Sequence, residues 1–378
     1  MDKNSKIFIA GIAGMVGSAL FRRLKTAGYT NIHGSYRCRK PASDNGFEID
    51  PQCLVNIDLR RQADVESFFE KEKPEYVFLA AAKVGGILAN NTLKADFIYD
   101  NLVIAANVIR ASFTYGVRKL LNLGSSCIYP KFASQPMKEE TLLTGSLEPT
   151  NEPYAIAKIS AIKLCRYFNE QYKTNYISVM PTNLYGPNDN FDLETSHVLP
   201  ALIRKFYLAN LLFQIEQKGL NENALIQDIR NVNFGYNIKF ESGEERFELI
   251  LSALEKIGIT ADSVTIWGSG EARREFLYVD DLADACVFLM QRFGFKEIRE
   301  FINIGVGKDI RIIELAQLIQ RIIGFRGKIL CDVSKPEGSP RKLLDISRIL
   351  SLGWQPQTSL EDGIRKTINW HFSKSQRR

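Results

Sequence analysis

Tyr154 and Lys158 stand four residues apart in a stretch of helical periodicity, which puts both side chains on one face of a helix. An ammonium beside a phenol stabilises the phenolate and draws down a pKa normally near ~10, so the pair can pass a proton near neutral pH. About thirty residues earlier, Gly124-Ser125-Ser126-Cys127-Ile128-Tyr129 closes an apolar run that reads as a strand. Sheets covered by helices on both faces gather their ligands at the carboxyl ends of strands, where a hydroxyl such as that of Ser125 can hydrogen-bond a carbonyl oxygen. A Tyr-x-x-x-Lys pair is common by chance; joined to Ser125 it points to proton transfer at a substrate carbonyl.

Gly11-Ile12-Ala13-Gly14-Met15-Val16-Gly17 lies between a short β-branched strand and an amphipathic stretch. Gly11, Gly14 and Gly17 suit a tight turn that lets the backbone approach a pyrophosphate, and the N–H groups at Met15 and Val16 open the helix toward the anion. The end of the second strand then selects the dinucleotide. An Asp or Glu there would bind a ribose 2′-hydroxyl, but the chain has Ser35-Tyr36-Arg37-Cys38-Arg39-Lys40, with no carboxylate in reach. Arg37 and Arg39 suit a 2′-phosphate, so NADP is the expected cofactor and hydride transfer the expected chemistry.

These residues must be positioned by a substantial core, which 378 residues at 45% hydrophobic and 24% charged composition can supply. The first half alternates strands, at 7–10, 32–36, 76–80, 120–124 and 177–181, with helices at 16–26, 62–71, 98–115 and 154–172. This is the pattern of a Rossmann-type, doubly wound parallel α/β sheet. Residues 1–182 form the expected dinucleotide-binding domain, with a return around 262–305. Residues 183–261 and 306–378 form a smaller, mainly C-terminal substrate cap. Within it, 208–260 reads as inserted material, where Phe247, Ile250, Leu251 and Leu254 repeat at helical spacing. A packed decoration and a lid or subunit contact both fit that stretch.

Three histidines and six scattered cysteines without a CxxC pair argue against a metal site or a disulfide framework, so reduced thiols in the cytoplasm are expected. No apolar run approaches the ~20 residues of a membrane span, and a net charge of +6 is too mild to imply a nucleic-acid partner.

Longer runs carry a resemblance. Leu79-Ala80-Ala81-Ala82-Lys83-Val84-Gly85-Gly86-Ile87, Asn90-Asn91-Thr92, residues 124–131, Leu147-Glu148-Pro149-Thr150-Asn151-Glu152-Pro153-Tyr154 and Met180-Pro181-Thr182-Asn183-Leu184-Tyr185-Gly186-Pro187 belong to it. So do Ser196-His197-Val198, Trp267-Gly268-Ser269-Gly270 and Lys335-Pro336-Glu337-Gly338. Together they resemble the GDP-L-fucose synthases. These extended short-chain dehydrogenase/reductases epimerise C3 and C5 of a GDP-4-keto-6-deoxy-mannose and reduce C4 with NADPH.

The resemblance implies roles residue by residue. Ser125, Tyr154 and Lys158 would be the reductase set, and Cys127 with His197 the epimerising pair. A C4 ketone acidifies the C3 and C5 hydrogens, and inversion needs a base on one face and an acid on the other; thiol and imidazole titrate close enough to neutral to serve. Asp58, Leu59, Ala80, Ala82, Pro181, Asn183, Leu184 and His197 would line the cofactor. Ser126, Asn183, Lys205, Trp267, Arg274 and Lys335 would line the substrate, with Arg274 near the diphosphate. A homodimer built on the helices at 98–115 and 154–172 is likewise implied. The chain departs from the family at Ile12 and Ala13, where basic or polar residues are usual, and at Lys205, where an arginine is usual. The 208–260 insertion lies beside Lys205. A GDP-keto-deoxy-heptose reductase and a catalytically inactive NADP-binding regulator are therefore carried as alternatives.

Overall fold

Every residue of the first strand, β1 (Ile7–Ala10), is buried, so both faces of its sheet must be covered. The computed structural model describes residues 1–38, 40–41, 49–231 and 247–375. After β1 come α1 (Met15–Thr26), β2 (Ile32–Tyr36), β3 (Leu54–Asn56), α2 (Gln62–Glu72), β4 (Tyr76–Leu79), α3 (Ile87–Thr92) and α4 (Lys94–Thr114). The alternation continues through β5 (Lys119–Leu123), α5 (Glu152–Tyr172) and β6 (Tyr176–Pro181). The chain then builds β7 (Asn183–Tyr185), α6 (Val198–Lys218), α7 (Asn223–Asn231), α8 (Phe247–Lys256), β8 (Ser263–Trp267) and β9 (Arg273–Tyr278). It returns through α9 (Val279–Arg292), α10 (Phe295–Ile298) and β10 (Ile302–Ile304). It closes with β11 (Asp309–Arg311), α11 (Ile312–Ile323), β12 (Lys328–Asp332), β13 (Arg341–Lys342), α12 (Ser347–Ser351) and α13 (Leu360–Ser375).

Seven strands pair in the order β10-β6-β5-β4-β1-β2-β3, parallel throughout. The order runs outward from β1 in one direction and from β4 in the other, leaving a switch point between them where a ligand can enter. Ile7 and Ile9 pack with α1 and α9 on one face, while Phe8 and Ala10 pack with α2, α4 and α5 on the other. Arg22–Asp280 and Arg23–Asp284 ion pairs, each 2.7 Å, join α1 to α9.

Three helices begin earlier than their periodicity indicates: α1 at Met15 rather than 16, α4 at Lys94 rather than 98, and α5 at Glu152 rather than 154. Pro153 sits in the first turn of α5, where its missing N–H has no intrahelical partner to lose. Of the expected return at 262–305, only β10 pairs in the large sheet; β8 pairs with β12 and β9 with cap strands.

In the cap, β9 is flanked by β11 and β13 over its first half and by β7 over its second. Apolar residues of the inserted stretch, Leu225, Ile229, Ile250 and Leu254, share one core with Ile203 and Phe206 of α6 and Leu315 of α11. The fully buried Arg204 pairs with Asp228 at 3.3 Å and donates to the Phe191 carbonyl at 3.0 Å, fastening α7 to α6. The described parts of the insertion thus belong to the cap's core. Helix α6 is long and apolar enough by composition to cross a membrane, which corrects the expectation that no apolar run approaches that length; most of its apolar window is buried in that core.

Glu275 ties the pieces together. Fully buried on β9, its carboxylate accepts from the N–H groups of Val306 and Gly307, at 2.6 and 2.7 Å, and of Leu344 at 3.0 Å.

Candidate active site

Gly11 follows β1 with φ +87°, a conformation that a side chain disfavours. A Cβ on Gly17 would lie 2.1 Å from the Gly11 carbonyl oxygen, so only glycine lets α1 start this close to the turn. Gly14 caps α1, and the N–H groups of the first turn, from Met15 and Val16 onward, lack intrahelical acceptors. Arg37 is exposed at the end of β2; Arg39 lies outside the described residues. One carboxylate does approach Arg37, which the local sequence does not reveal. Asp58, after β3, feels the charge of Arg37, but Arg60 grips it at 2.6 and 2.9 Å and holds its pKa down to about 2. With Asp58 ionised and paired to Arg60, Arg37 remains an exposed cation at this corner. Leu59, Ala80 and Ala82 lie on the loops that follow β3 and β4, with Ala80 N–H donating to the Ala10 carbonyl at 3.1 Å.

Across the switch point, Ser125 follows β5 and caps a short 3-10 turn over Ser126–Ile128, its hydroxyl accepting from the Cys127 N–H at 3.3 Å. Tyr154 lies in the first turn of α5 and its hydroxyl hydrogen-bonds Ser125. Lys158, one turn on, donates to the Leu123 carbonyl at 2.7 Å and holds its ammonium 5.7 Å from the Tyr154 ring centre. Burial reverses the simple expectation for the phenol. Desolvation, with Cys127 adding, pushes the Tyr154 pKa up and the Ser125 hydrogen bond opposes it, so the phenol is held neutral. Desolvation also draws Lys158 down to about 8. A neutral phenol beside a lysine that exchanges its proton near physiological pH is a proton donor with a local supply. The ammonium is present below about 8 and lost above it, so catalysed ketone reduction should fall on the alkaline side near pH 8. An ordinary lysine would hold that limb above ~10, and a rate profile flat to pH 10 would contradict the assignment.

Cys127 Sγ receives the Asn151 side-chain N–H at 3.5 Å and the Lys342 ammonium at 3.8 Å. His197 is the N-cap of α6 and opens to solvent. Protein around the ring limits its hydration, and that desolvation, with Lys342 adding, holds its imidazole pKa below the ordinary value. Lys342 therefore stands beside Cys127 and within electrostatic reach of His197. His197 is placed by a tight turn. Asp192 accepts from the N–H groups of Glu194 and Thr195 at 3.0 and 2.8 Å, and Gly86 N–H donates to the Thr195 carbonyl at 2.8 Å. A Cβ on Gly86 would meet the Ser196 carbonyl oxygen at 2.6 Å. Gly86→Ala should therefore push the His197 turn away and slow proton exchange into a keto-sugar by about tenfold or more, with reduction less affected. Equal losses in both steps would argue against it.

The cap supplies the remaining groups. Arg274, on β9, donates to the carbonyls of Glu337 and Arg273 at 2.9 and 2.8 Å and interacts with Cys127. Asn183, at the start of β7, donates to the Glu275 carbonyl at 2.8 Å, and Pro181 and Leu184 flank it on β6 and β7. Lys335 lies over the Trp267 ring with its nitrogen 5.9 Å from the centre. Lys205 is buried on α6 and donates to the Ile257 and Thr265 carbonyls at 3.2 and 2.9 Å; burial lowers its pKa to about 8. One N–H of its ammonium is left for a ligand. Gathered near Cys127 are Ser125, Tyr154, Lys158, Asn151, Arg274 and Lys342, with His197 across Lys342. Asn151, Asp192 and Lys342 carry no role in the sequence analysis. A lone exposed-looking lysine or a turn aspartate gives no periodic or spacing signal.

The sequence model of the NAD dependent epimerase/dehydratase family matches residues 7–223 and 232–305. GDP-L-fucose synthase 1 of Arabidopsis thaliana is 48% identical, over 98% of this chain and 94% of the plant protein. Among solved structures, a GDP-6-OMe-4-keto-L-xylo-heptose reductase from Campylobacter jejuni is 40% identical, with a TM-score of 0.86 over 99% of each chain. A GDP-D-glycero-L-gluco-heptose synthase from the same organism, solved in the presence of NADPH, is 38% identical with a TM-score of 0.84, covering 98% of this chain and 99% of that one.

Proposed function

The chain belongs to the NAD dependent epimerase/dehydratase family, and from that premise we propose that it converts GDP-4-keto-6-deoxy-mannose to GDP-L-fucose, by epimerisation at C3 and C5 and NADPH-dependent reduction at C4. What supports this reading is the grouping of Ser125, Tyr154, Lys158 and Cys127, with His197 within electrostatic reach of the Lys342 that lies beside the thiol. A reductase needs only the first set; the thiol and imidazole are the additional acid and base that inversion requires.

The residues fit the dinucleotide. The Gly11–Gly17 turn leaves room at the start of α1 for a pyrophosphate, and the exposed Arg37 suits a 2′-phosphate. When bound, the nicotinamide supplies the hydride for C4. The rest is the work of side chains. Of Cys127 and His197, one takes the proton from C3 while the other returns one to the opposite face, and the exchange is repeated at C5. Ser125 and Tyr154 donate hydrogen bonds to the C4 oxygen and stabilise the charge that each enolate places there. In the reduction Tyr154 gives its proton to that oxygen, and the Lys158 ammonium beside it supports the transient phenolate. Lys205 and Arg274 suit the diphosphate and Trp267 with Lys335 the nucleotide end.

The likeness to two heptose enzymes favours a second reading, in which the substrate is a GDP-4-keto-deoxy-heptose. Purified protein and NADPH incubated with each keto-sugar separate the two. Turnover of the hexose, with GDP-L-fucose identified by NMR, supports the first; turnover of the heptose alone rejects it. An inactive NADP-binding regulator would turn over neither. We place the enzyme in the cytoplasm as a homodimer, paired through α4 and α5, which pack on each other and leave Tyr99, Ile156 and Tyr167 exposed.

A further inference from the structure

We propose that Lys342 is the electrostatic control of the epimerising thiol: its ammonium, 3.8 Å from Cys127 Sγ, favours the charged thiolate over the thiol. The proposal rests on the reading of Cys127 and His197 as proton-transfer groups. It assigns to them a residue from the far end of the chain, on the two-residue strand β13.

Position comes first. The parallel pairing of β13 with β9 sets Lys342 opposite Arg274, so both side chains leave the sheet on the same face. That face looks at the 3-10 turn after β5, and the Lys342 nitrogen reaches 3.8 Å from Cys127 Sγ. His197 feels the same ammonium from the start of α6.

The other charges around the thiol are committed elsewhere. Lys158, from α5, is bound to the Leu123 carbonyl and sits behind Tyr154. Arg274, from β9, is bound to two carbonyls, and Glu337 and Glu148 offset its charge. Tyr154 is neutral, and Asn151 offers only an amide dipole. Lys342 has no carboxylate within ion-pair distance among the described residues, so the Cys127 sulfur is the polar partner it meets. An opposite charge within ~4–6 Å stabilises the ionised form, and a like charge on a neighbouring ring disfavours it. An ammonium beside the sulfur therefore favours the form of Cys127 that can take a substrate proton.

The test is the pH dependence of Cys127 alkylation by iodoacetamide, followed on the Cys127 peptide by mass spectrometry in the full-length protein without substrate. Lys342→Met should move the midpoint of the alkylation profile up by about one pH unit or more and slow alkylation at pH 7 by about tenfold. Lys342→Arg, which keeps the charge, should stay close to the wild type. Lys342→Gln repeats the measurement should the Met variant fail to fold. An unchanged midpoint in a folded, uncharged variant would overturn the proposal. Because no sugar is involved, this outcome is independent of substrate identity. If the profile moves but no keto-sugar exchanges its protons, the control by Lys342 stands and the epimerase reading fails.

Discussion

Tyr154→Phe should lower NADPH-dependent ketone reduction by about 10³-fold while leaving NADPH affinity within about twofold. The substitution removes a single oxygen. It leaves the ring against Phe97 and keeps the start of α5 intact. What is lost is the proton donor to the C4 oxygen, and general acid catalysis by a positioned side chain contributes about 10²–10⁴-fold. Ser125 would remain to hydrogen-bond the oxygen, so the enolate steps should fall less than the reduction. Burial keeps this phenol neutral, which makes it a donor throughout the physiological range. Stopped-flow loss of NADPH absorbance gives the rate, and fluorescence titration gives the affinity. Equal losses of turnover and NADPH binding would mean that Tyr154 is a cofactor contact rather than the acid.

Glu275→Ala should be the most destabilising single truncation in the cap, by about 3–5 kcal/mol. The three N–H groups that its carboxylate satisfies belong to the turn after β10 and to the segment after β13. The Leu344 N–H would be left buried without an acceptor, at about 1–3 kcal/mol before relaxation, and the part-buried N–H groups of Val306 and Gly307 would lose their charged partner. The same carboxylate holds β9, and with it Arg274, in register against β13. Chemical denaturation should therefore show a lower midpoint, and substrate affinity should weaken beyond what the lost stability explains. Glu275→Gln keeps one acceptor oxygen and should lose less. A wild-type midpoint for Glu275→Ala would show that water replaces the carboxylate.

The sheet was legible because its strands are short apolar runs separated by helical periodicity, and a parallel sheet buried on both faces leaves that pattern at β1, β4, β5 and β6. The insertion was less so: helical spacing located α8, but whether Ile250 and Leu254 face a core or solvent depends on partners in α6 and α11 that no local window contains. The same limit applies at the site. The Tyr154 and Lys158 spacing is local and visible, whereas the neutral state of the phenol comes from burial by distant segments. Lys342 is the clearest case. Its importance lies in a 3.8 Å approach to a sulfur 215 residues away in sequence, which a lysine in a polar stretch does not announce.

The central claim is that two inversions precede the reduction in one site, and the most direct measurement is solvent-deuterium incorporation. Wild-type protein should be incubated with GDP-4-keto-6-deoxy-mannose and NADPH in D₂O and the product analysed by NMR. GDP-L-fucose should carry deuterium at both C3 and C5, and Cys127→Ser and His197→Asn should lose that label. A reduced product with hydrogen retained at both carbons would contradict the claim.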